Sequence, residues 1–523
     1  MKRFALQAGL VILMQGGLIL PATAQGFNVR HDAFNRHLAG FGAAVEQNAM
    51  GEFVTFGNEQ FLDTITGLFY PLVLTSERFS SSGVHLSEDS VVVYYKTSGI
   101  GWSNASVRLS DGRYVVTGSV QDSTPVGGTW IGLFWFEEDG TPIDHVELLG
   151  DSVTEWLGRC VKATPDGGFV IVGETTQTGV LDVFIVKTDS AGNVEWWQTY
   201  GHSTRLDYAE SVDLVPGGGY YIGGTYPIVG PDYLTRWVLR VDSMGNVLWD
   251  EKIGDPWYDT FATHVTTTAD GNVVFASGDF SGVNQNHWPQ LAKLDTAGDI
   301  MWNKTYGFDQ FGTGFFVVQE VEPFGDLIAC GQRFFSNGMG GGYSKGTLLR
   351  TTANGDSLWM FDYAYYDSTV TDCEGTLRDV QPTPDGGFVA VGTAYGAING
   401  NNPPGISQDV WVIKVDSLGC IEPGCQTITG LESQVSNLKG AVSVWPNPVA
   451  SGEQVTVQVQ LPVGLRNTAL RLVLVNAQGQ LVHEQSAQQG TNALELHSLS
   501  AGLYHVHLAN STTWLAGSKL LVE

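Results

Sequence analysis

The amino-acid sequence predicts an all-β fold. Glycine is abundant, with 66 residues among 523, which indicates many tight turns. Short segments rich in β-branched and aromatic residues alternate with these turns, and none of them has a helical period. The decapeptide TPDGGFVIVG (residues 164–173) also returns almost unchanged as TPDGGFVAVG (residues 383–392). A phrase that returns in this way indicates a structural repeat.

Seven copies of this phrase align along the chain. They end at Gly57, Gly118, Gly173, Gly224, Ser277, Gly331 and Gly392, in steps of 51 to 61 residues. Most are followed by a second phrase of the type [KR]-x-D-x-x-G-x-x-x-W, such as RVDSMGNVLW from Arg240. Each unit therefore resolves into four short strands, with turns at the Asp-Gly dipeptides. Four antiparallel strands at this period predict a seven-bladed β-propeller over residues 25–425.

The seventh unit lacks a good fourth strand. Pro423 occupies the place that Trp196 and its counterparts occupy in other units. The segment GFNVRHDAFNRHL precedes the first unit and has no other assigned place in the repeat. We therefore expect this N-terminal segment to complete the last blade and close the ring.

The two phrases together resemble the repeats of secreted bacterial β-propellers, including many from the Bacteroidetes group. The phrase LDTAGDIMW (residues 294–302) is also similar to quinoprotein propeller repeats, in which a tryptophan docks one blade on the next. The resemblance implies the fold. It does not indicate one function, because propellers host many unrelated activities.

The sequence changes character after Cys425. Residues 426–440 contain few large apolar side chains and are predicted to be a linker. Strand patterns resume over residues 441–523, where TVQVQL and YHVHL alternate strictly between apolar and polar positions. This pattern predicts a small Ig-like β-sandwich.

The C-terminal module resembles the C-terminal sorting domain of the type IX secretion system. The resemblance is carried by the motifs VWPNP, NAQGQLV, LSAGLYHVHL and KLLVE. The matching motif residues are Pro446, Asn447, Pro448, Gly502, Tyr504 and Lys519. The resemblance implies that the type IX secretion machinery is a partner. It also implies that the protein is secreted or placed on the outer-membrane surface of a Gram-negative bacterium.

The N-terminus and the net charge are consistent with export. Lys2 and Arg3 precede an apolar run that ends in PATAQ, so residues 1–24 are predicted to be a signal peptide cleaved between Ala24 and Gln25. No other segment has the pattern of a transmembrane helix. The formal net charge of −28 excludes nucleic acid as a partner, because phosphates would be repelled. We expect the mature protein to be a monomer.

The five cysteines leave one unpaired residue at least. Cys420 and Cys425 flank the short segment IEPG, and a local disulfide across that turn is one assignment. Cys160 and Cys330 lie in apolar strand patterns and are expected in the core.

No metal site and no cofactor is predicted. His505 and His507 have the spacing of two ligands on one face of a strand. Because Tyr504, Val506 and Leu508 take the alternate, buried positions, both histidines are expected to face solvent.

Repetition also excludes residues from catalysis. A nucleophile or a general base is needed once in a site, whereas a turn or a packing aromatic is needed once in each blade. Asp166 and Asp385 are therefore predicted to be turn residues. The recurring tryptophans are predicted to pack, and the recurring basic residues to pair locally. No catalytic residue is assigned.

The loops that do not repeat are the remaining candidates for function. In a propeller, the loops from strand two to strand three and from strand four to the next blade share one face. Here these loops are long, acidic and aromatic, which is typical of a recognition surface. The candidate ligand-binding residues are Trp257, Tyr258, Trp288, Tyr233 and Tyr366. The alternative is that these rings only hold the loops in place.

Two functions of different classes are compatible with the sequence. The first is non-enzymatic recognition of a glycan or protein ligand at the cell surface. The second is a propeller enzyme, either a glycan-active hydrolase or lyase or a quinoprotein-like oxidoreductase. An enzyme would need converging carboxylates or a Tyr/His pair at the mouth of the central channel. The sequence has no pair of adjacent cysteines, which disfavours the quinoprotein alternative.

Overall fold

The computed structural model describes residues 26–31, 37–61, 72–93, 96–122, 127–229, 233–254, 259–280, 287–307, 314–323, 325–336, 342–365, 374–395, 408–421, 442–461, 470–476, 481–496, 499–509 and 514–523. All regular secondary structure in these ranges is β-strand, which confirms the all-β prediction. The residues outside these ranges include the predicted signal peptide and linker.

Seven antiparallel sheets make up the first part of the chain. After β1 (Phe27–His31), the first sheet holds β2 (His37–Gln47), β3 (Phe53–Phe61), β4 (Val73–Phe79) and β5 (His85–Val91), and the second holds β6 (Lys96–Ile100), β7 (Ser106–Arg108), β8 (Tyr114–Asp122), β9 (Thr129–Phe136) and β10 (Pro142–Asp151). The third sheet holds β11 (Trp156–Ala163), β12 (Phe169–Thr175), β13 (Asp182–Thr188) and β14 (Val194–Tyr200), and the fourth holds β15 (Tyr208–Leu214), β16 (Tyr220–Val229), β17 (Tyr233–Val241) and β18 (Val247–Ile253). The fifth sheet holds β19 (Asp259–Thr267), β20 (Val273–Phe280), β21 (His287–Leu294) and β22 (Ile300–Thr305), the sixth holds β23 (Gly314–Val321), β24 (Asp326–Ser336), β25 (Gly342–Thr351) and β26 (Ser357–Tyr363), and the seventh holds β27 (Glu374–Pro382), β28 (Phe388–Tyr395), β29 (Gln408–Val415) and β1.

The sheets form a closed ring of blades around a central channel. The innermost strand of each sheet contacts the innermost strand of the next, and β27 of the seventh sheet contacts β2 of the first. The second sheet is the irregular one, because β6 and β7 together take the innermost place beside β8. The propeller predicted from the repeat is therefore confirmed.

The repeated glycine has a packing reason. Gly173 lies on β12 opposite a β-bulge in β11, and a Cβ at this position would lie 1.8 Å from the carbonyl oxygen of Leu157. Gly392 has the same relation to Thr376, at 1.9 Å. Only glycine lets the bulged strand approach so closely. In the fifth sheet the alignment of Ser277 with these glycines is wrong by one residue, since Gly278 is the residue paired beside the bulge.

The recurring aromatic residues join consecutive blades. Tyr306 donates a hydrogen bond from its hydroxyl to the carbonyl oxygen of Gly355 in the next sheet, at 2.6 Å. A Cβ on Gly355 would lie 2.9 Å from the ring of Trp302, so this glycine makes room for the indole. The same arrangement joins Trp196 and Tyr200 to Gly245, Trp249 to Gly298, and Trp359 and Tyr363 to Gly419. We call these four contacts the regular seams.

The contact between the seventh and first sheets closes the ring differently. β1 pairs with β29 from Phe27 opposite Lys414 to His31 opposite Val410, which confirms that the N-terminal segment completes the last blade. Phe27 takes the place of the seam tryptophan and packs against Gly83. A Cβ on this glycine would lie only 2.6 Å from the Phe27 ring. We call this contact the closing seam.

The phrase TPDGG builds a turn with its own ion pair. The Thr164 hydroxyl donates to Asp166 at 2.5 Å, and the Gly168 N–H donates to the same oxygen at 3.0 Å. The Lys187 ammonium on the third strand lies 2.9 Å from the other oxygen. The hydrogen bond from Thr164, followed by that from Lys187, lowers the pKa of Asp166 to about 2. Asp270 with Lys293 and Asp385 with Lys414 repeat the pair, so these residues serve the turn as predicted.

The C-terminal module is a sandwich of two sheets around one apolar core. One sheet holds β30 (Val442–Trp445), β31 (Gln454–Val459) and β34 (Gly490–Glu495), and the other holds β33 (Leu481–Ala487), β32 (Leu470–Asn476), β35 (Gly502–Ala509) and β36 (Trp514–Val522). The expectation that His507 faces solvent is wrong, since it is only 7% exposed. The absence of a side chain at Gly517 on β36 lets the imidazole lie against that strand. Burial lowers the pKa of His507 to about 4.

Several sorting-motif residues hold the last strand in place. The Asn447 side chain donates to the Lys519 carbonyl at 2.7 Å and accepts from the Leu521 N–H at 2.9 Å. It therefore acts as a short extra strand beside β36. The Tyr504 hydroxyl donates to the Ser500 carbonyl at 2.8 Å. Recognition of these residues by the secretion machinery stays a prediction.

The described cysteines agree with the expected core positions. Cys160 and Cys330 are buried free thiols. Cys420 is buried and disulfide-bonded. Cys425 lies outside the described residues, so the pairing of Cys420 with Cys425 stays a prediction.

Candidate ligand site at the central channel

The five predicted ligand-binding aromatics cannot be placed in full. Trp257, Tyr258 and Tyr366 lie outside the described residues. The backbone of Tyr233 begins β17 and that of Trp288 is second in β21, but their side chains are not described. Both strands begin at the face of the long loops, so these two positions are compatible with the predicted surface.

The β-bulges of the innermost strands supply another set of side chains. A bulge adds one unpaired residue to a strand and re-aims its side chain. Four of the extra residues have large side chains: Arg159 on β11, Glu210 on β15, Phe316 on β23 and Arg378 on β27. They belong to the third, fourth, sixth and seventh sheets, all at about the same height on the innermost strand. The bulges thus direct four side chains of different chemistry towards the ring axis.

Contacts across the ring show that these side chains converge. The Arg378 guanidinium carbon lies 4.8 Å from the centre of the Phe316 ring and 5.5 Å from that of Trp102, between β6 and β7. The Arg159 guanidinium carbon lies 5.2 Å from the same indole. Trp102 therefore meets residues of the third and seventh sheets, and it is 54% exposed. We call Trp102, Arg159, Glu210, Phe316 and Arg378 the channel cluster.

Arg378 and Glu210 are close enough to act on each other electrostatically, without a close ion pair between them. Neither side chain has a hydrogen bond or an ion pair with any residue in the described part of the chain. Burial raises the pKa of the Glu210 carboxyl, and the guanidinium groups of Arg159 and Arg378 act against that rise. A donor and an acceptor are thus available at one place, beside two aromatic faces.

Arg159 forms an ion pair with a second carboxyl group, that of Glu174. Its Nε donates to Glu174 on β12 at 2.6 Å. Glu174 is 1% exposed, and burial raises its pKa to about 7 although Arg159 lowers it. The ion pair fixes Arg159 against Trp102 and leaves Arg378 as the guanidinium open to a ligand.

A second contact crosses the ring between the second and fifth sheets. Asn104 of the second sheet lies 3.2 Å from the Nε2 atom of His264 of the fifth sheet, and both are 1% exposed. Burial, followed by the nearby Lys162, lowers the pKa of His264 to about 3, so the imidazole is neutral. The contact therefore joins two sheets that are not neighbours in the ring.

Comparison with known families identifies the C-terminal module. Residues 443–523 match the model of the secretion system C-terminal sorting domain. No curated protein matches the chain. Within the described residues, no helix has the length and apolar character needed to cross a membrane.

Solved structures of similar overall arrangement have low sequence identity. A protein of unknown function from Dyadobacter fermentans is 10% identical, covers 75% of this chain and 98% of its own, and has a TM-score of 0.43. The extracellular domain of the putative hybrid two component system BT3049 from B. thetaiotaomicron is 8% identical, covers 92% and 72%, and has a TM-score of 0.32. The Penicillium chrysogenum α-L-arabinanase complexed with arabinobiose is 13% identical, covers 59% and 94%, and has a TM-score of 0.39. These scores support no statement about function.

The sorting domain determines where the protein goes. Its strands follow the seven-sheet ring in the chain, and its family match spans the motifs in which the resemblance was first noted. Residues 443–523 belong to the family of secretion system C-terminal sorting domains, and the chain is a β-propeller cargo that the type IX secretion system exports to the cell surface or the medium.

Proposed function

We propose that the exported propeller is a non-enzymatic recognition module that binds a glycan at the long-loop end of its channel. One observation carries the proposal. The Arg378 guanidinium is held between the rings of Phe316 and Trp102 without a hydrogen bond to any described residue. A guanidinium has five N–H donors in a planar fork, and the two rings hold that fork in place.

The chemistry of the channel cluster suits a sugar. A sugar ring has an apolar C–H face that stacks on an indole, and hydroxyl edges that need donors and acceptors. Trp102 offers the exposed face, Arg378 the donors and Glu210 the acceptor. A uronic acid or another carboxylated sugar should bind most tightly, because its carboxylate can accept two parallel hydrogen bonds from the guanidinium. The net charge of −28 would repel such a ligand elsewhere on the surface.

The test is glycan binding by the mature chain with its sorting domain. A glycan array and titration calorimetry should find a carboxylated glycan whose affinity falls at least about tenfold in Arg378→Ala, the loss of one charged hydrogen-bonding group. Trp102→Ala should weaken the same ligand. Arg113→Ala is the matched control, since Arg113 is an exposed arginine that pairs with Asp111 in a turn. Equal binding by wild type and Arg378→Ala would refute the assignment of the site.

A glycan-active hydrolase is the second candidate. Glu174 and Glu210 both have raised pKa values, as a general acid requires, chiefly because both are buried. Against it, Glu174 is buried and bound to Arg159. Incubation of the array ligands with the mature chain, followed by assay of reducing ends, separates the two functions. Cleavage that disappears in Glu210→Gln while binding remains would establish the enzyme.

A further inference from the structure

Three potential metal ligands meet at the closing seam. They are His31 on β1 of the seventh sheet, and Glu77 on β4 and His85 on β5 of the first sheet. The nearest donor atoms of all three lie within 4.8 Å of one another. The two imidazoles are stacked, with ring centres 3.6 Å apart. This cluster is separate from the channel cluster and is independent of the function proposed for it.

Glu77 is buried without a hydrogen bond. Its side chain is 1% exposed, and neither carboxylate oxygen has a hydrogen bond. The Nε2 atom of His85 is also buried without a hydrogen bond, and it lies 3.9 Å from the carboxylate, which is too long for one. Buried polar groups are nearly always satisfied, and a buried carboxylate without a partner is especially costly. The arrangement therefore needs either a proton or a cation between the two side chains.

The surroundings of Glu77 favour a cation. Glu59, Glu88 and Asp409 are close enough to act on it electrostatically. Arg30 forms an ion pair with Asp409 within the seventh sheet. The charged groups that act on Glu77 are all carboxyl groups, and a divalent ion would offset their negative charge.

We propose that His31, Glu77 and His85 bind a divalent transition-metal ion, zinc foremost, which fastens the N-terminal strand to the first sheet. Two imidazoles and one carboxylate are a known zinc ligand set. The three ligand atoms would have to move somewhat closer together to surround one ion at metal–ligand distances of about 2.0–2.2 Å. His31 and His85 are 22% and 29% exposed, which gives the ion a path from solvent and room for a water ligand.

Zinc binding to the mature full-length chain tests the proposal. After chelation and dialysis, titration with Zn²⁺ should show one site for each chain, and Zn²⁺ should raise the melting temperature. Hydrogen exchange of the β1 amides should slow when zinc is bound, because the ion joins β1 to the neighbouring sheet. Glu77→Gln and His31→Ala should each weaken binding by more than about tenfold, the loss that even an outer-shell partner can cause.

His145→Ala is the matched control. His145 lies 3.9 Å from Glu147 in the second sheet, and no third ligand accompanies this pair in the described residues. Its loss should leave zinc affinity and the melting temperature unchanged. Absence of zinc binding to the folded wild type would overturn the proposal, and so would equal affinity in wild type and His31→Ala. If zinc does not bind the wild type and Glu77→Gln raises the melting temperature, Glu77 holds a proton instead.

Discussion

The regular seams and the closing seam solve the same packing problem with different chemistry. At a regular seam, an indole and a tyrosine hydroxyl of one blade meet a glycine turn of the next, as Trp302 and Tyr306 meet Gly355. At the closing seam, Phe27 replaces the indole. The buried ion pair of Arg30 with Asp409 lies beside it within the seventh sheet, and Asp409 acts electrostatically on Glu77 of the first sheet. The regular seams thus rest on aromatic rings and tyrosine hydrogen bonds, whereas charged groups surround the closing seam.

The difference follows from how each seam is formed. A regular seam joins blades that follow one another in the chain, so apolar contact between neighbours suffices. The closing seam must select one N-terminal strand from all the strands that could pair with β29. Buried polar groups specify a unique partner in some proteins because wrong pairings leave them unsatisfied. We interpret the charges at the closing seam in this way, and the following variants test the interpretation.

The largest effect is expected from Arg30→Met in β1, beside the closing seam. Arg30 Nε donates to Asp409 at 2.5 Å, and both side chains are almost fully buried. Removal of the guanidinium takes the ion-pair partner away from a buried carboxylate, which should cost about 3–5 kcal/mol of unfolding free energy in urea. The double variant Arg30→Met with Asp409→Leu should recover most of the loss. If the double variant is no more stable than the single one, the charge has no such role.

The next effect is expected from Gly355→Val at a regular seam. Gly355 has a φ of +74°, and a Cβ there would lie 2.9 Å from the Trp302 ring. Backbone strain and overpacking together should cost about 3 kcal/mol. Gly386→Val is the control, because Gly386 has a φ of +82° but no atom within 4 Å of a Cβ. Its cost in urea unfolding should be only the strain, about 1 kcal/mol; equal costs would show that the seam tolerates the side chain.

A smaller effect is expected from Tyr306→Phe at the same seam. The change removes the hydrogen bond to the Gly355 carbonyl and keeps the ring. Loss of one buried hydrogen bond should cost about 1 kcal/mol in chemical denaturation. The same substitution at Tyr200, which bonds to Gly245, should give a similar cost if the seams are equivalent.

The smallest effect is expected from Asp166→Asn in a turn. The folded pKa of Asp166, about 2, lies below its ordinary value of 3.8, so its stabilisation is present above pH 3.8 and disappears as the pH falls through 2. Because the side chain is 59% exposed, the contribution should be below about 1 kcal/mol. The stability difference between wild type and Asp166→Asn, measured by urea unfolding, should shrink between pH 5 and pH 2. A constant difference would contradict the ion-pair explanation.

The sequence predicts the parts of this molecule that repeat. Strands and turn residues recur in each unit and seam tryptophans in four of the units, and even the place of β1 can be inferred because the seventh unit lacks its last strand. His507 was misplaced because alternation along a strand does not reveal that Gly517 on the next strand leaves space for its ring.

The channel cluster could not be predicted in the same way. Arg159, Glu210, Phe316 and Arg378 share no residue type, and a bulge shifts them by one position without changing the apolar pattern. These four residues do share one position in the repeat. Each directly follows the residue that pairs with the repeated glycine. The cluster of His31, Glu77 and His85 gives no such signal, because its members come from different units joined only by ring closure.

The closure by β1 has a consequence for assembly. The Trp411 indole donates a hydrogen bond to Asn28, 383 residues away in the chain, so β1 must remain unpaired until the last blade exists. Until then the chain presents two complementary open edges, β1 and the outer side of β29. Two chains that fold side by side can exchange these strands and form a domain-swapped pair, or a longer series in which no ring closes on itself. Refolding in dilute solution should favour the single ring, and refolding at high concentration should favour the exchanged forms.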